Sequence, residues 1–541
     1  MRFAFVPRNH AFFSLSLFCA LVWQFHGQAS ADTKAVTTES RLRPFGLEGA
    51  VILDTAAKPS EAAVERFLRF AKGDSIAILV VGDGGSEGLV DSLLTHGAKG
   101  IEILRAPGAD AASLDRATAV LRKAKGLWLM AGPEPIKAKE ALQPLANPIR
   151  ELRLRGGVVA ASKGAAWILP DRFLDADGQT CEGLNILPGM LAGRDVQPSG
   201  NVRSMEAALA QAPGLVGVRL ADSAVLFVGG RDMRSLGAAK ISFLLARSAT
   251  RDARTVNFPA NRPVDFNEMR RAALGRIQSA PYPPKEVAAP EVPKGSLVIV
   301  GGGGMPADIS KRFVELGGGE KGTFIVLPIS NPDPLPSNNG DGFLRRYGAK
   351  DIVVIKAREQ KDLETPENLA ALKRATGVWF GGGRQWRFVD AYEGTQIHEL
   401  FRDVLRRGGV IGGSSAGATI QGDYLCRGAP GGPENIICEG YERALGFLPG
   451  VAIDQHFTQR NRFKDMVLLM KTYPQFLGIG LDEATAIVVQ GHVAEIMGKN
   501  QVHFYDRRKP VVEGKPDHDS LKVGDRYDLK ERKVLEAKPA P

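Results

Sequence analysis

One order of short motifs occurs twice along this chain, and that repetition restricts its fold more than any other feature. Gly126-Leu-Trp-Leu-Met-Ala-Gly132 is matched by Gly377-Val-Trp-Phe-Gly-Gly-Gly383, and Gly156-Gly-Val-Val-Ala-Ala-Ser162 by Gly408-Gly-Val-Ile-Gly-Gly-Ser414. Cys181-Glu-Gly183 recurs as Cys438-Glu-Gly440, Leu187-Pro-Gly189 as Leu448-Pro-Gly450, and Val216–Leu220 as Leu477–Leu481. The order is kept while the offset widens from about 251 to about 261 residues, as small insertions would produce. A Pro-rich stretch, Pro281 to Pro293, separates the two series and reads as a semi-rigid linker. The expectation is a tandem duplication of one domain. The copies are placed at 45–257 and 295–510, joined by a linker at 277–294 and followed by a C-terminal tail at 511–541.

Each copy alternates short β-branched runs with amphipathic stretches, which predicts an α/β fold with a mostly parallel, doubly wound sheet in three layers. In the second copy Ser296–Val300, Gly322–Leu327, Ile352–Ile355, Gly377–Phe380 and Val410–Ile411 read as strands. Ile309–Leu316 and Leu363–Arg374 read as helices between them. Sites in such sheets form at the carboxyl ends of strands.

With 44% apolar and 24% charged residues, wholesale disorder, collagen and coiled coil are excluded. The net charge of +10 is spread over interspersed acids and bases, so it favours acidic partners only weakly and does not mark a nucleic-acid binder. Arg2 and Arg8 precede an apolar run from Ala11 to Trp23, and Gln28-Ala29-Ser30-Ala31 is a small-x-small end. This predicts a signal peptide over 1–31, with a secreted or periplasmic mature chain. The run is too short to cross a bilayer, which takes about 20 residues, and no membrane partner is expected. Of the cysteines left after cleavage, an oxidising compartment permits a Cys426–Cys438 bridge. No Cys or His spacing suits a metal, and neither metal nor cofactor is expected.

Gly413-Ser414-Ser415-Ala416-Gly417 follows a strand and precedes a helix-like run at Ala418–Tyr424, the setting that G-x-S-x-G requires. A sharp elbow there exposes Ser415, and Ala416 N–H is placed for an oxyanion. A serine hydroxyl needs a base, and the base an orienter. His456 follows the run Val451–Ile453, and Glu483 follows Gly478–Leu481, with Asp482 an equal rival by spacing. The order Ser, His, acid differs from that of the α/β-hydrolases. Gly381-Gly382-Gly383 follows a strand and offers N–H groups to an oxyanion or to a phosphate. The run Gly301–Gly304 fails both nucleotide-loop patterns.

These motifs, with Asp-Gln-His-Phe-Thr-Gln-Arg-Asn-Arg at 454–462 and Gly-Ile-Gly-Leu-Asp-Glu-Ala-Thr-Ala at 478–486, resemble the serine peptidases that include cyanophycinase and peptidase E. The resemblance covers about Ser296 to Asp506 and leans toward cyanophycinase. It implies a class I glutamine-amidotransferase-like fold, with Ser415 as nucleophile, His456 as base, Glu483 as its partner, and Gly382, Gly383 and Ala416 around the oxyanion. It also implies a substrate role for Gln385, Asp454, Gln455, Arg460 and Arg462 on an aspartate-rich peptide or cyanophycin-like polymer, with release of β-Asp-Arg. A related hydrolase for another isopeptide or aspartyl dipeptide, or a non-catalytic binding protein, are the alternatives. The family has Asp where this chain has Arg384, and a third Arg where it has Asp465.

In the first copy Lys163 falls where Ser415 stands, Asp195 under His456 and Asp222 under Glu483. A Ser162–Lys163 dyad is disfavoured because adjacent elbow residues point apart. The first copy is expected to be catalytically dead and to sit against the second as an intrachain pseudo-dimer.

Overall fold

The computed structural model describes residues 42–82, 85–106, 111–195, 204–258, 262–337 and 340–536. The expected signal peptide lies outside them. The described residues from Arg43 onward form one compact unit.

Strands rich in Val, Ile and Leu build two large sheets. The first runs Ile101–Arg105, Ile76–Val80, Gly126–Ala131, Val158–Lys163, Leu47–Asp54, Val225–Gly230, Asp232–Ser235, Val264–Asp265. The second runs Asp351–Val354, Thr323–Leu327, Gly377–Phe380, Val410–Ser414, Val292–Val300, Thr485–Gly491, Val493–Gly498, Arg526–Asp528, Lys533–Leu535. In both, the first five strands are parallel and the later ones antiparallel. The two halves therefore share one strand order.

Burial on both faces explains the apolar runs. Along Val292–Val300, Leu297 and Ile299 enter one core, while Val298 and Val300 enter the other. Val51 and Leu53 separate from Ala50 and Ile52 in the same way. Each half also carries a smaller second sheet that the strand pattern alone did not separate. In the second half it runs Val451–Gln455, Leu477–Leu481, Gln501–Asp506, Asp519–Lys522. Ile453, Ile479 and Phe504 pack into the core under the large sheet.

Three segments differ from expectation. The stretch Leu363–Arg374 is broken, because Thr365 caps a new helix with Pro366 at its first turn. The helix after the elbow spans only Ala416–Thr419. The segment from 511 is not a separate tail, since its strands complete both sheets of the second half. The stretch expected as a linker is packed down: Tyr282 OH donates to Asp423 O at 2.6 Å and Gln475 donates to Pro284 O at 2.7 Å.

The halves meet through arginines of the first and acids of the second. Arg231 reaches Asp390 at 2.5 Å while paired with Asp265 at 2.8 Å, and its guanidinium lies 4.1 Å from the Trp386 ring centroid. Arg271 reaches Glu393 at 2.5 Å, Arg251 reaches Glu442 at 2.7 Å, and Arg276 reaches Glu439 at 2.7 Å. Asp390 is 1% exposed and also accepts from Tyr441 OH at 2.8 Å. Removing one partner of such a pair strands a buried charge. Asp390→Ala is expected to cost about 3–5 kcal/mol, read as a lower unfolding midpoint in urea.

Candidate functional site

Ser415 closes the strand Val410–Ser414 with φ 56° and ψ −111°, a conformation that costs about 1–3 kcal/mol and is held by its surroundings. The flanking glycines are obligatory there. A Cβ on Gly413 would lie 2.3 Å from Gly417 O, and one on Gly417 would lie 2.1 Å from Phe380 O. Other residues of the second half with positive φ include Arg427, His456, Asn461 and Ala484.

His456 follows the strand Val451–Gln455, and its Nε2 lies 2.9 Å from Ser415 Oγ. Its Nδ1 lies 2.6 Å from Glu483 Oε1. Asp482 is not the residue that meets the imidazole. It accepts from Thr458 N–H at 2.9 Å and lies 3.6 Å from His503 Nε2. Burial lowers the His456 pKa below its ordinary value of 6.5; the Glu483 hydrogen bond opposes this, and the charges of Arg460 and Arg462 add to it.

A Cβ on Gly382 would lie 3.5 Å from Ser415 Cβ, so the Gly381–Gly383 loop borders the nucleophile. Ser330 Oγ donates to Gly382 O at 2.7 Å and so fixes the peptide plane that carries Gly383 N–H. Among the described residues none accepts from the backbone N–H of Gly382, Gly383 or Ala416. Because the helix behind the elbow is a single turn, these N–H groups rather than a long helix dipole face developing negative charge.

The other expected substrate residues divide into two sets. Gln385 is 3% exposed, and its Nε2 donates to Cys426 O at 2.8 Å and Arg427 O at 2.7 Å. Asp454 is 0% exposed and lies between Arg427 at 3.0 Å and Arg462 at 2.8 Å. Arg427 also reaches Asp465 at 2.6 Å, so the acid at the departed position closes an internal network. Gln385 Nε2, the Asp454 carboxylate and Arg462 Nη1 are thus engaged within the protein. Gln455 Oε1 lies 3.5 Å from Ser415 Oγ. Arg460 is exposed, adds positive charge near His456, and has no carboxylate partner among the described residues. Arg384 is half-buried, and its Nη2 donates to Ala429 O at 2.6 Å.

Sequence reasoning missed Arg427, which lies in no recognisable motif. It also set aside the Gly301–Gly304 run, in which Gly302 lies against His456 and Gly303 against Glu483. Four consecutive glycines at a strand end are the available signal in the sequence.

The two buried thiols Cys426 and Cys438 are free, and burial pushes both pKa values up, so the bridge that spacing permitted is not formed. In the first half Lys163 sits at an elbow with φ 53° and ψ −128°. Ser162 is buried and accepts from Trp128 Nε1 at 2.9 Å, which removes it from any dyad. Asp195 lies 3.2 Å from Lys240, and Asp222 is exposed. Glu61, Glu65 and His96 bring potential ligand atoms within 4.8 Å on the surface of the first half, a grouping that sequence spacing did not show. Among the described residues no helix is long and apolar enough to cross a membrane.

Residues 341–497 match the model of Peptidase family S51. A cyanophycinase of Trichormus variabilis is 27% identical over 291 residues, covering 50% of this chain and 96% of the relative. A cyanophycinase of Synechococcus elongatus is 30% identical over 225 residues, covering 40% of this chain and 69% of the relative. A solved peptidase from an acI-B1 Actinobacterium aligns at a TM-score of 0.34 and 21% identity, over 43% of this chain and 97% of that one.

Two substitutions separate structural from exposed charge. Asp454→Ala leaves two buried guanidinium groups without their shared carboxylate and is expected to cost about 3–5 kcal/mol. Arg460→Ala should change stability by less than about 0.5 kcal/mol; urea unfolding of both variants checks the contrast.

Proposed function

This chain belongs to peptidase family S51, and we propose that its second half is a serine-type hydrolase of aspartate-rich peptides, a secreted cyanophycinase-like exopeptidase. The observation that carries the reading is the continuous hydrogen-bond chain from Ser415 Oγ through His456 to Glu483, set on a strained elbow. His456 Nε2 takes the Ser415 proton as Oγ attacks the scissile carbonyl carbon. Glu483 holds Nδ1–H and stabilises the imidazolium that forms. Ala416 N–H and an N–H of Gly382 or Gly383 receive the oxyanion. His456 returns its proton to the leaving amine, and water, activated by the same imidazole, then cleaves the acyl-enzyme.

Arg460 is the proposed carboxylate contact. Its planar fork suits a bidentate pair with a substrate carboxylate, and no protein carboxylate competes for it among the described residues. Gln455, beside the nucleophile, is proposed to orient the substrate. The polymer proposed is cyanophycin, cut to β-Asp-Arg. A second reading, another isopeptide or an aspartyl dipeptide, is favoured by Arg384 and by Asp465, which spends its charge on Arg427. The first half is proposed to be a non-catalytic copy that stands where a partner subunit would, because Lys163 occupies its elbow and its arginines hold the acids of the second half. The first 31 residues are proposed to be removed on export, which a mature amino terminus at Asp32 would establish.

Incubation with cyanophycin, with products identified by mass, tests the reading. Release of β-Asp-Arg that is lost in Ser415→Ala supports it. No release from cyanophycin, with cleavage of aspartyl dipeptides, moves the substrate to the second reading. Ser415→Ala is expected to lower kcat by several orders of magnitude. Because burial lowers the His456 pKa, the neutral base persists into mild acid, so the acidic limb of kcat/KM should lie below pH 6.5.

A further inference from the structure

Three consecutive carbonyls, at the end of the strand Val292–Val300 and in the loop that follows it, each hold a backbone N–H from a different segment of the site. Val300 O accepts from Ser415 N–H at 3.0 Å, Gly301 O from His456 N–H at 2.8 Å, and Gly302 O from Ala484 N–H, next to Glu483, at 2.8 Å. The loop then passes directly against the side chains of two of them. A Cβ on Gly302 would lie 2.3 Å from His456 Cε1 and 2.6 Å from its Nε2. A Cβ on Gly303 would lie 2.3 Å from Glu483 Oε2. Both have positive φ, 98° and 65°, so the loop needs glycine for backbone and for space.

We infer that Val300–Gly303 is a template for the reactive groups, and that Gly302 and Gly303 are positioning residues for proton transfer between Ser415 and His456. The inference rests on the serine-hydrolase reading. Carbonyls one residue apart impose their own spacing on the three segments, while the absent side chains let the imidazole and the carboxylate lie on the loop. The first half has the same strand without this surface. The register of Ala50 with Val158 and of Ser296 with Val410 places Thr55-Ala56-Ala57-Lys58 where Gly301–Gly304 stand. Thr55 N–H still donates to Ala224 O at 2.9 Å, as Gly301 N–H does to Thr485 O at 2.9 Å, so the fold contact is kept and the glycine surface is not.

Gly304 supplies the control. Its φ is 119°, yet a Cβ there would meet nothing within 4 Å. Gly304→Ala therefore carries backbone strain without touching the imidazole or the carboxylate. The experiment measures the rate at which a fluorophosphonate labels Ser415, as a function of pH, in the full mature chain and in Gly302→Ala, Gly303→Ala and Gly304→Ala. Gly302→Ala and Gly303→Ala should label at least about 100-fold more slowly, and Gly304→Ala at close to the parent rate. The Glu483 hydrogen bond raises the His456 pKa against burial, so weakening it in Gly303→Ala should move the acidic limb to lower pH. The limb of Gly304→Ala should stay in place. Equal rates and limbs in all three variants would overturn the template. A parent chain that does not label would overturn the serine reading, and the template with it. Should Gly302→Ala fail to fold, Gly303→Ala carries the same test, because its methyl meets the carboxylate and not the ring.

Discussion

The strand Val292–Val300 must satisfy its backbone on both sides, and the rest of the site follows from how it does so. On one side it pairs in parallel with Val410–Ser414, on the other antiparallel with Thr485–Gly491. A parallel neighbour ends at the same edge as the central strand, so Ser415 emerges there. An antiparallel neighbour begins at that edge, so Glu483 arrives just before it. Where the ladder stops, the carbonyls of 300–302 still need donors, and they take them from the segments that carry Ser415, His456 and Glu483. Reactive groups far apart in sequence are thereby assembled by ordinary backbone pairing at the end of a sheet.

The charges around this edge are arranged by burial. Arg427 and Arg462 share Asp454, and Arg427 also holds Asp465, so two cations face two anions within the protein. The buried pairs at Asp454 add little net stability but are costly to break, so they fix loop geometry more than they strengthen the fold. The loop after Cys426 is pinned in this way and is tied to Gln385, the first residue of the helix that follows the Gly381–Gly383 loop. That same helix ends near Asp390, the acid held by Arg231 and Arg271 of the first half. A line of packed contacts thus runs from the interface between halves to the loop beside the nucleophile.

Much of this was legible in the sequence because the signals were local. The elbow, the histidine and the acid each leave a strand end, and strand ends were readable from β-branched runs. Asp482 and Glu483 were not separable, since adjacent residues leave a strand on opposite faces and only the register of Leu477–Leu481 in its sheet decides which faces His456. The substrate role of Asp454 and Arg462 is implied by the resemblance alone, and their shared network with Arg427 leaves no sign in the sequence because Arg427 lies in a loop without periodicity. The helix after the elbow stops at Thr419, before Gly422, and the strands from 519 to 535 are three or four residues long, too short to show alternation. Gly301–Gly304 acts through contacts with atoms it lacks, which leaves no signature beyond its composition.

The ionic seam between the halves bears on how such a chain can change over generations. Arg231, Arg251, Arg271 and Arg276 each answer an acid of the second half, whereas Lys163 faces no such demand. Selection on the second half therefore reaches into the first through its seam and not through its elbow. A change at the elbow residue Lys163 leaves the neighbouring half untouched, whereas a change at any of these arginines strands an acid of the second half, so the two halves constrain one another through the seam alone.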